Sequence, residues 1–177
     1  MGAFSVMEGN SGGGARVHPE RKIRNRLFQA RTWRNHKSET DLGSPRFIDK
    51  SSEPIDLDYF LRNSEELLGR KPEEGEDIVI IYAMDQTGEI RVGEPLPFVV
   101  HHSSLFGPKE SVVAAGEMEI VFRDNGFGKL VGQVRKIDAV SGHFQPVPEV
   151  TLPLVEFVLR TRETPMTPDF DIDTRIQ

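Results

Sequence analysis

The chain has 177 residues with 22 Lys and Arg against 28 Asp and Glu, a net charge of −6, and no cysteine. That length fits one domain with tails. The missing thiols exclude a disulfide scaffold, a thiolate metal site and cysteine catalysis. No run approaches the roughly eighteen apolar residues of a membrane span. The opening MGAFSVMEGNSGGG has no basic head followed by an apolar stretch, and Val6 stands where a myristoylation signal wants Ser or Thr. The chain therefore reads as soluble, with a cytoplasmic location expected.

Charge is unevenly placed. Residues 16–37 carry eight cations against Glu20 alone, a charge of +7, which leaves −13 on the rest of the chain. A basic arm on an acidic body predicts an anionic partner or docking of the arm on its own body. Residues 1–50 read as a flexible N-terminal arm and linker, with EGNSGGG as a leader too poor in apolar groups to order itself. Within the arm, Ile23 and Leu27 stack at i, i+4 if the segment is helical. Arg21, Lys22, Arg24, Arg26, Arg31, Trp33 and Arg34 are the candidate partner-binding residues. An acidic protein, an anionic membrane surface and nucleic-acid phosphate all suit such a helix. Against these stands a solvated arm, or one packed on the body through Trp33.

Residues 51–165 read as a single α+β domain. Asp56 or Asp58 caps a helix over DYFLRNSEELLG, with Leu57, Phe60, Leu61, Ser64, Leu67 and Leu68 on one face and Gly69 as its stop. DIVIIYAM (77–84) predicts a strand buried on both faces. Next come a DQTG turn, the return strand EIRV and a further strand over PLPFVVHHSS. In residues 111–122, Met118, Ile120 and Phe122 alternate with Glu117 and Glu119. An Asn-Gly turn then leads into KLVGQVRKI, antiparallel to the strand before it. Pro153 opens a last short helix with Leu154, Val155 and Val158 inward, and residues 166–177 read as an irregular tail. The expected architecture is a mainly antiparallel curled sheet with one helix before it, one after it, and a disordered basic arm.

Three polar stretches interrupt this pattern: His101-His102-Ser103-Ser104, Ala114-Ala115-Gly116-Glu117 and Ser141-Gly142-His143. On an extended chain His101 and Ser103 face one way and His102 and Ser104 the other. Small residues at 114–116 admit a close neighbour, either a ligand or another strand. The joint order of His102-Ser103-Ser104-Leu105, Ala114-Ala115-Gly116 and Ser141-Gly142-His143-Phe144-x-Pro146 resembles a domain of uncharacterised bacterial and fungal proteins. It is also similar to the body of the plant IQ-motif calmodulin-binding family called IQM. Phe144 stands where these relatives usually have Tyr, and Phe106-Gly107-Pro108-Lys109 where they often have a Gly-rich loop. At position 117 bacterial relatives tend to have Glu and the plant family Arg, which argues against proton transfer there. The resemblance suggests calmodulin binding by the arm, although no Ile-Gln start is present.

Two functions follow. In the first, Ser103, Ser104, Gly116, Ser141 and Gly142 line a polar cleft of a ligand- or partner-binding domain, and the basic arm engages an anionic partner. In the alternative, His102 and His143 act as general base and acid of an effector- or toxin-like hydrolase or transferase, with Glu117 orienting an imidazole. Its substrate is a nucleotide, cleaved at an RNA phosphodiester or the glycosidic bond of NAD. A bland reading has the same polar groups satisfying the backbone. No metal or cofactor is expected, since neither H-x-x-x-H nor H-E-x-x-H occurs.

Overall fold

A computed structural model describes residues 17–36, 55–94, 102–107 and 109–175. Residues 1–16, 37–54, 95–101, 108, 176 and 177 lie outside the described residues, and with them the leader EGNSGGG, the linker at 37–54 and the first part of the expected strand PLPFVVHHSS, His101 included.

The fold is α+β, and its main element is a six-stranded, mainly antiparallel sheet. In chain order the elements are α1 (Pro19–Leu27), β1 (Trp33–Arg34), β2 (Ile55–Asp56), α2 (Leu57–Arg62), α3 (Ser64–Leu68), β3 (Asp77–Met84), β4 (Ile90–Gly93), β5 (Ser111–Val112), β6 (Ala114–Asp124), β7 (Leu130–Asp138), α4 (Pro148–Thr161) and β8 (Met166–Asp173). The sheet order is β2-β4-β3-β6-β7-β8, and β1 pairs separately with β5.

Asp56 caps α2 as its position suggested: one carboxylate oxygen accepts from the N–H groups of Asp58 and Tyr59. Gly69 ends α3 with φ of 66°. The expected single helix is broken at Asn63. DQTG and the Asn-Gly turn close the two hairpins β3–β4 and β6–β7. Helix α4 begins at Pro148 rather than Pro153, which sits exposed inside it. Thr151, Leu152, Val155, Val158 and Leu159 form its buried stripe.

Two expectations at the ends of the chain are corrected. Residues 166–173 are not an irregular tail but the edge strand β8, parallel to β7. Met166, Phe170 and Ile172 pack on the core while Asp169 and Asp171 face solvent, and Pro168 is tolerated because an edge strand leaves one side unpaired. Residues 19–27 are not a loose arm either. Ile23 and Leu27 are fully buried in the main core. Arg162 donates to Glu20 Oε1 at 2.8 Å, to Glu20 Oε2 at 2.9 Å and to the Gly88 carbonyl. A Cβ at Gly88 would sit 2.4 Å from Ile23, so α1 rests on the bare backbone of the β3–β4 turn. With α1, three helices precede the sheet's long strands where one was expected.

The sheet is covered on both faces at one end. Ile80, Tyr82, Met84, Met118, Ile120 and Phe122 point into the main core under α1, α2 and α4. On the other face Ile81, Ala83 and Ala115 join Trp33, Leu105, Val112 and Phe144 in a smaller cluster. The last five residues of β3 are therefore buried on both sides, while Val79 remains about half exposed.

Candidate functional site

The smaller apolar cluster is built from loops. Residues His102–Ser104 form a 3-10 turn rather than a continuing strand, so their side chains do not alternate as extended chain would. Leu105 and Gly107 close that turn by donating to the carbonyls of His102 and Ser103. A second loop, Ser141–Phe144, is tightened by the Phe144 N–H on Ser141 Oγ at 3.3 Å and the Gln145 N–H on the Ser141 carbonyl at 2.9 Å. Leu105 from the first loop and Phe144 from the second complete the apolar cluster.

The polar residues between them join the two loops to the sheet. His102 Nε2 donates to the Gly116 carbonyl at 2.9 Å, and Ser103 Oγ hydrogen-bonds His143 Nδ1 at 2.8 Å. The His36 N–H donates to the His143 carbonyl at 2.8 Å, which ties the N-terminal segment to the same place. His102 is 8% exposed, His143 7%, Ser141 6% and Ser103 not at all. Segments about forty residues apart are thus brought together, and then closed off. Ser104 is half-buried beside them.

Gly116 meets a neighbouring backbone, not a ligand: a Cβ there would lie 2.0 Å from the Asp138 carbonyl oxygen. Tyr82 donates its hydroxyl to that same oxygen at 2.8 Å. Glu117 lies on the open part of the second face, with Val79, Glu119, Lys136 and Asp138. Its carboxylate bonds neither imidazole, so the orienting role of the catalytic reading has no counterpart. Asp138, which nothing in the sequence singled out, instead accepts the N–H groups of Glu117 at 2.8 Å and Val140 at 2.9 Å on one oxygen. Burial, then the Asp138 charge, pushes the Glu117 carboxyl above its ordinary value, with Lys136 opposing. Burial also raises Asp138, against its two N–H donors.

Two open surfaces adjoin the enclosed cluster. A groove of about 440 Å³ runs past Ser141, Gly142, Gln145, Pro146, Glu149 and Arg175. Of the candidate ligand-binding residues lining it, Gly142 is exposed and Ser141 buried, while His143 is turned inward. The other surface is the outer side of α1. Arg21, Lys22, Arg24 and Arg26 are exposed there, followed by Arg31 and Arg34. Arg31 stacks on the Trp33 ring at 4.1 Å and Arg26 lies 6.0 Å from Phe157. Glu20, the one acid of the basic run, is engaged by Arg162. Among the described residues no carboxylate pairs with Arg21, Lys22, Arg24 or Arg34.

Family models, curated proteins and solved structures yield no match to this chain. Among the described residues no group of three or more His, Asp or Glu is placed to hold a metal ion. Among the same residues no helix is long and apolar enough to cross a membrane.

Proposed function

We propose that this chain is a binding domain that engages an anionic partner through the outer side of α1, and that its His/Ser cluster is a bracket holding the second layer on the sheet. The observation that carries this reading is the docking of α1. The helix buries Ile23 and Leu27, neutralises its one acid on Arg162, and leaves a row of exposed cations with no ion pair among the described residues, on a chain of net charge −6. Such a patch attracts polyanions by counterion release and long-range steering. Capture of α1 in a calmodulin-like groove fits less well, because a groove takes the apolar face of a helix and this one is already packed.

The enclosed imidazoles weigh against the catalytic alternative. A general base needs a substrate proton within about 3 Å or one water, whereas His102 and His143 hold a backbone carbonyl and a buried hydroxyl.

The test is association of the full chain with three probes: phosphatidylserine vesicles, a single-stranded RNA oligonucleotide and poly-glutamate. Each is measured at low and high ionic strength, with the Arg21→Glu/Arg24→Glu variant alongside. Binding to at least one probe, weakened by salt and by charge reversal, is expected. Equal binding by the reversed variant, or none to any probe, would sink the reading.

A further inference from the structure

We infer that the anionic partner is a lipid surface, on which α1 lies flat with Arg21 and Arg24 against headgroup phosphates and Phe28 in the interface. This rests on the binding function proposed above and names its partner class. Arg21, Arg24 and Phe28 follow one another at i, i+3 and i+7, and Phe28, the C-cap, still has helical φ and ψ. The three side chains therefore form one outward stripe about two turns long.

Phe28 is 76% exposed at the end of that stripe, and Val17, at the opposite end of α1, is 44% exposed. The Phe28 carbonyl is held by Gln86 Nε2 at 3.0 Å, so this end of the helix is fixed to the β3–β4 turn. A cationic ridge with an apolar residue at each end matches a membrane interface. There cations meet anionic headgroups while aromatic and aliphatic groups enter the acyl boundary.

Nucleic acid fits the same cations, but of the two aromatic rings on this segment just Phe28 is open, and its variants separate stacking from insertion. Base stacking needs an open ring face. Trp33 is 8% exposed and its ring is already covered by Arg31 at 4.1 Å. An acidic peptide would need a groove or an apolar seam, and the seam of α1 is in the core. The −13 carried by the rest of the chain repels any anionic surface, so approach is favoured only with α1 foremost.

The experiment is flotation of the full chain with vesicles of phosphatidylcholine alone and of phosphatidylcholine with phosphatidylserine, and in parallel anisotropy with the RNA oligonucleotide. The variants are Arg21→Glu/Arg24→Glu, Phe28→Ala and Phe28→Leu. All these positions are exposed, and the salt dependence of the unaltered chain gives a readout that needs no variant. Binding to the phosphatidylserine vesicles only is expected. At about fivefold per elementary charge, reversing both arginines weakens it by more than a hundredfold. Phe28→Ala weakens it on the order of five- to tenfold, and Phe28→Leu, which keeps apolar bulk but no stacking ring, restores it. Vesicle binding indifferent to Phe28→Ala, or binding to RNA in preference to vesicles, overturns the lipid inference and leaves the anionic-partner reading standing. No salt-sensitive binding to either overturns the lipid inference, and the anionic-partner reading with it if poly-glutamate fails to bind as well.

Discussion

Replacing Ser103 with Ala tests whether the His/Ser cluster holds the fold. Ser103 is fully enclosed and its hydroxyl lies 2.8 Å from His143 Nδ1, a ring that is itself 7% exposed. Removing the hydroxyl takes this partner from a buried ring nitrogen, which costs about 1–3 kcal/mol. For a chain of this size each kcal/mol moves the thermal midpoint by about 2–4 °C, so a drop of about 2–12 °C is expected. Urea unfolding of Ser103→Ala, His143→Ala and the double variant then isolates the pair from the cavity left by the missing ring. A bond between the two predicts that the double variant loses about 0.5–3 kcal/mol less than the two single losses together. Additivity within about 0.5 kcal/mol would refute the bracket. So would a variant of unchanged stability that loses cleavage of RNA or NAD, since that result returns the rings to catalysis.

Three further outcomes follow from the packing. In a glycine series, Gly116→Ala should cost several kcal/mol, roughly 3 or more, because only backbone of Asp138 and Ala139 faces the new methyl. Gly132→Ala, meeting flexible Leu61 and Ile120 side chains at 2.9 Å, should cost less, and Gly142→Ala, with nothing within 4 Å, should stay within about 0.5 kcal/mol; urea midpoints in any other order refute the packing. Ile23→Ala should lose about 2–5 kcal/mol and speed amide exchange through 19–27, whereas a change within about 0.5 kcal/mol would mean that α1 does not dock. The Glu117 carboxyl is raised in the folded state, so the stability it contributes is present below its unfolded pKa and lost as pH rises through the folded one. Glu117→Gln should therefore flatten the fall of the thermal midpoint above the acid range and leave it no lower at neutral pH; a midpoint that climbs across that window in the unaltered chain contradicts the sign.

Local rules carried much of the fold. Asp56 and Gly69 mark the ends of the first body helices because capping chemistry is read within four residues. The break at Asn63 leaves no comparable mark. Strand β8 was hidden because its Pro168 and three acids resemble a loop, although Asp-Phe-Asp-Ile-Asp already alternates with period two. Ile23 and Leu27 were visible as a helical stripe, but where a stripe docks is a tertiary question. The available clue was Glu20, a lone acid in a basic run, whose partner Arg162 lies 142 residues away. For the site, the spacing named the polar members and passed over the apolar ones. Leu105, Ala115 and Phe144 belong to the same three stretches, and their burial together shows the segments assembling a small core.

That small core also explains why histidine and serine stand where they do. Strand β3 has no polar side chain from Ile78 to Met84 except the hydroxyl of Tyr82, and a strand of that composition has to be covered on both faces. Helices do this on the main face, where their own backbone groups are paired internally. On the other face the cover is two loops and the short β1–β5 pair, and a loop pressed against a sheet carries peptide groups it cannot pair within itself. Each such group needs a donor or acceptor that reaches it without bringing a full charge into the apolar layer. An imidazole and a hydroxyl meet that requirement, since neither has to carry a charge: His102 satisfies the Gly116 carbonyl, Ser141 the Phe144 amide, and Ser103 the second ring. A lysine or glutamate in their place would be buried as an unpaired ion. On the proposed reading the polar residues here are what a loop-covered sheet demands, with the two rings 8% and 7% exposed.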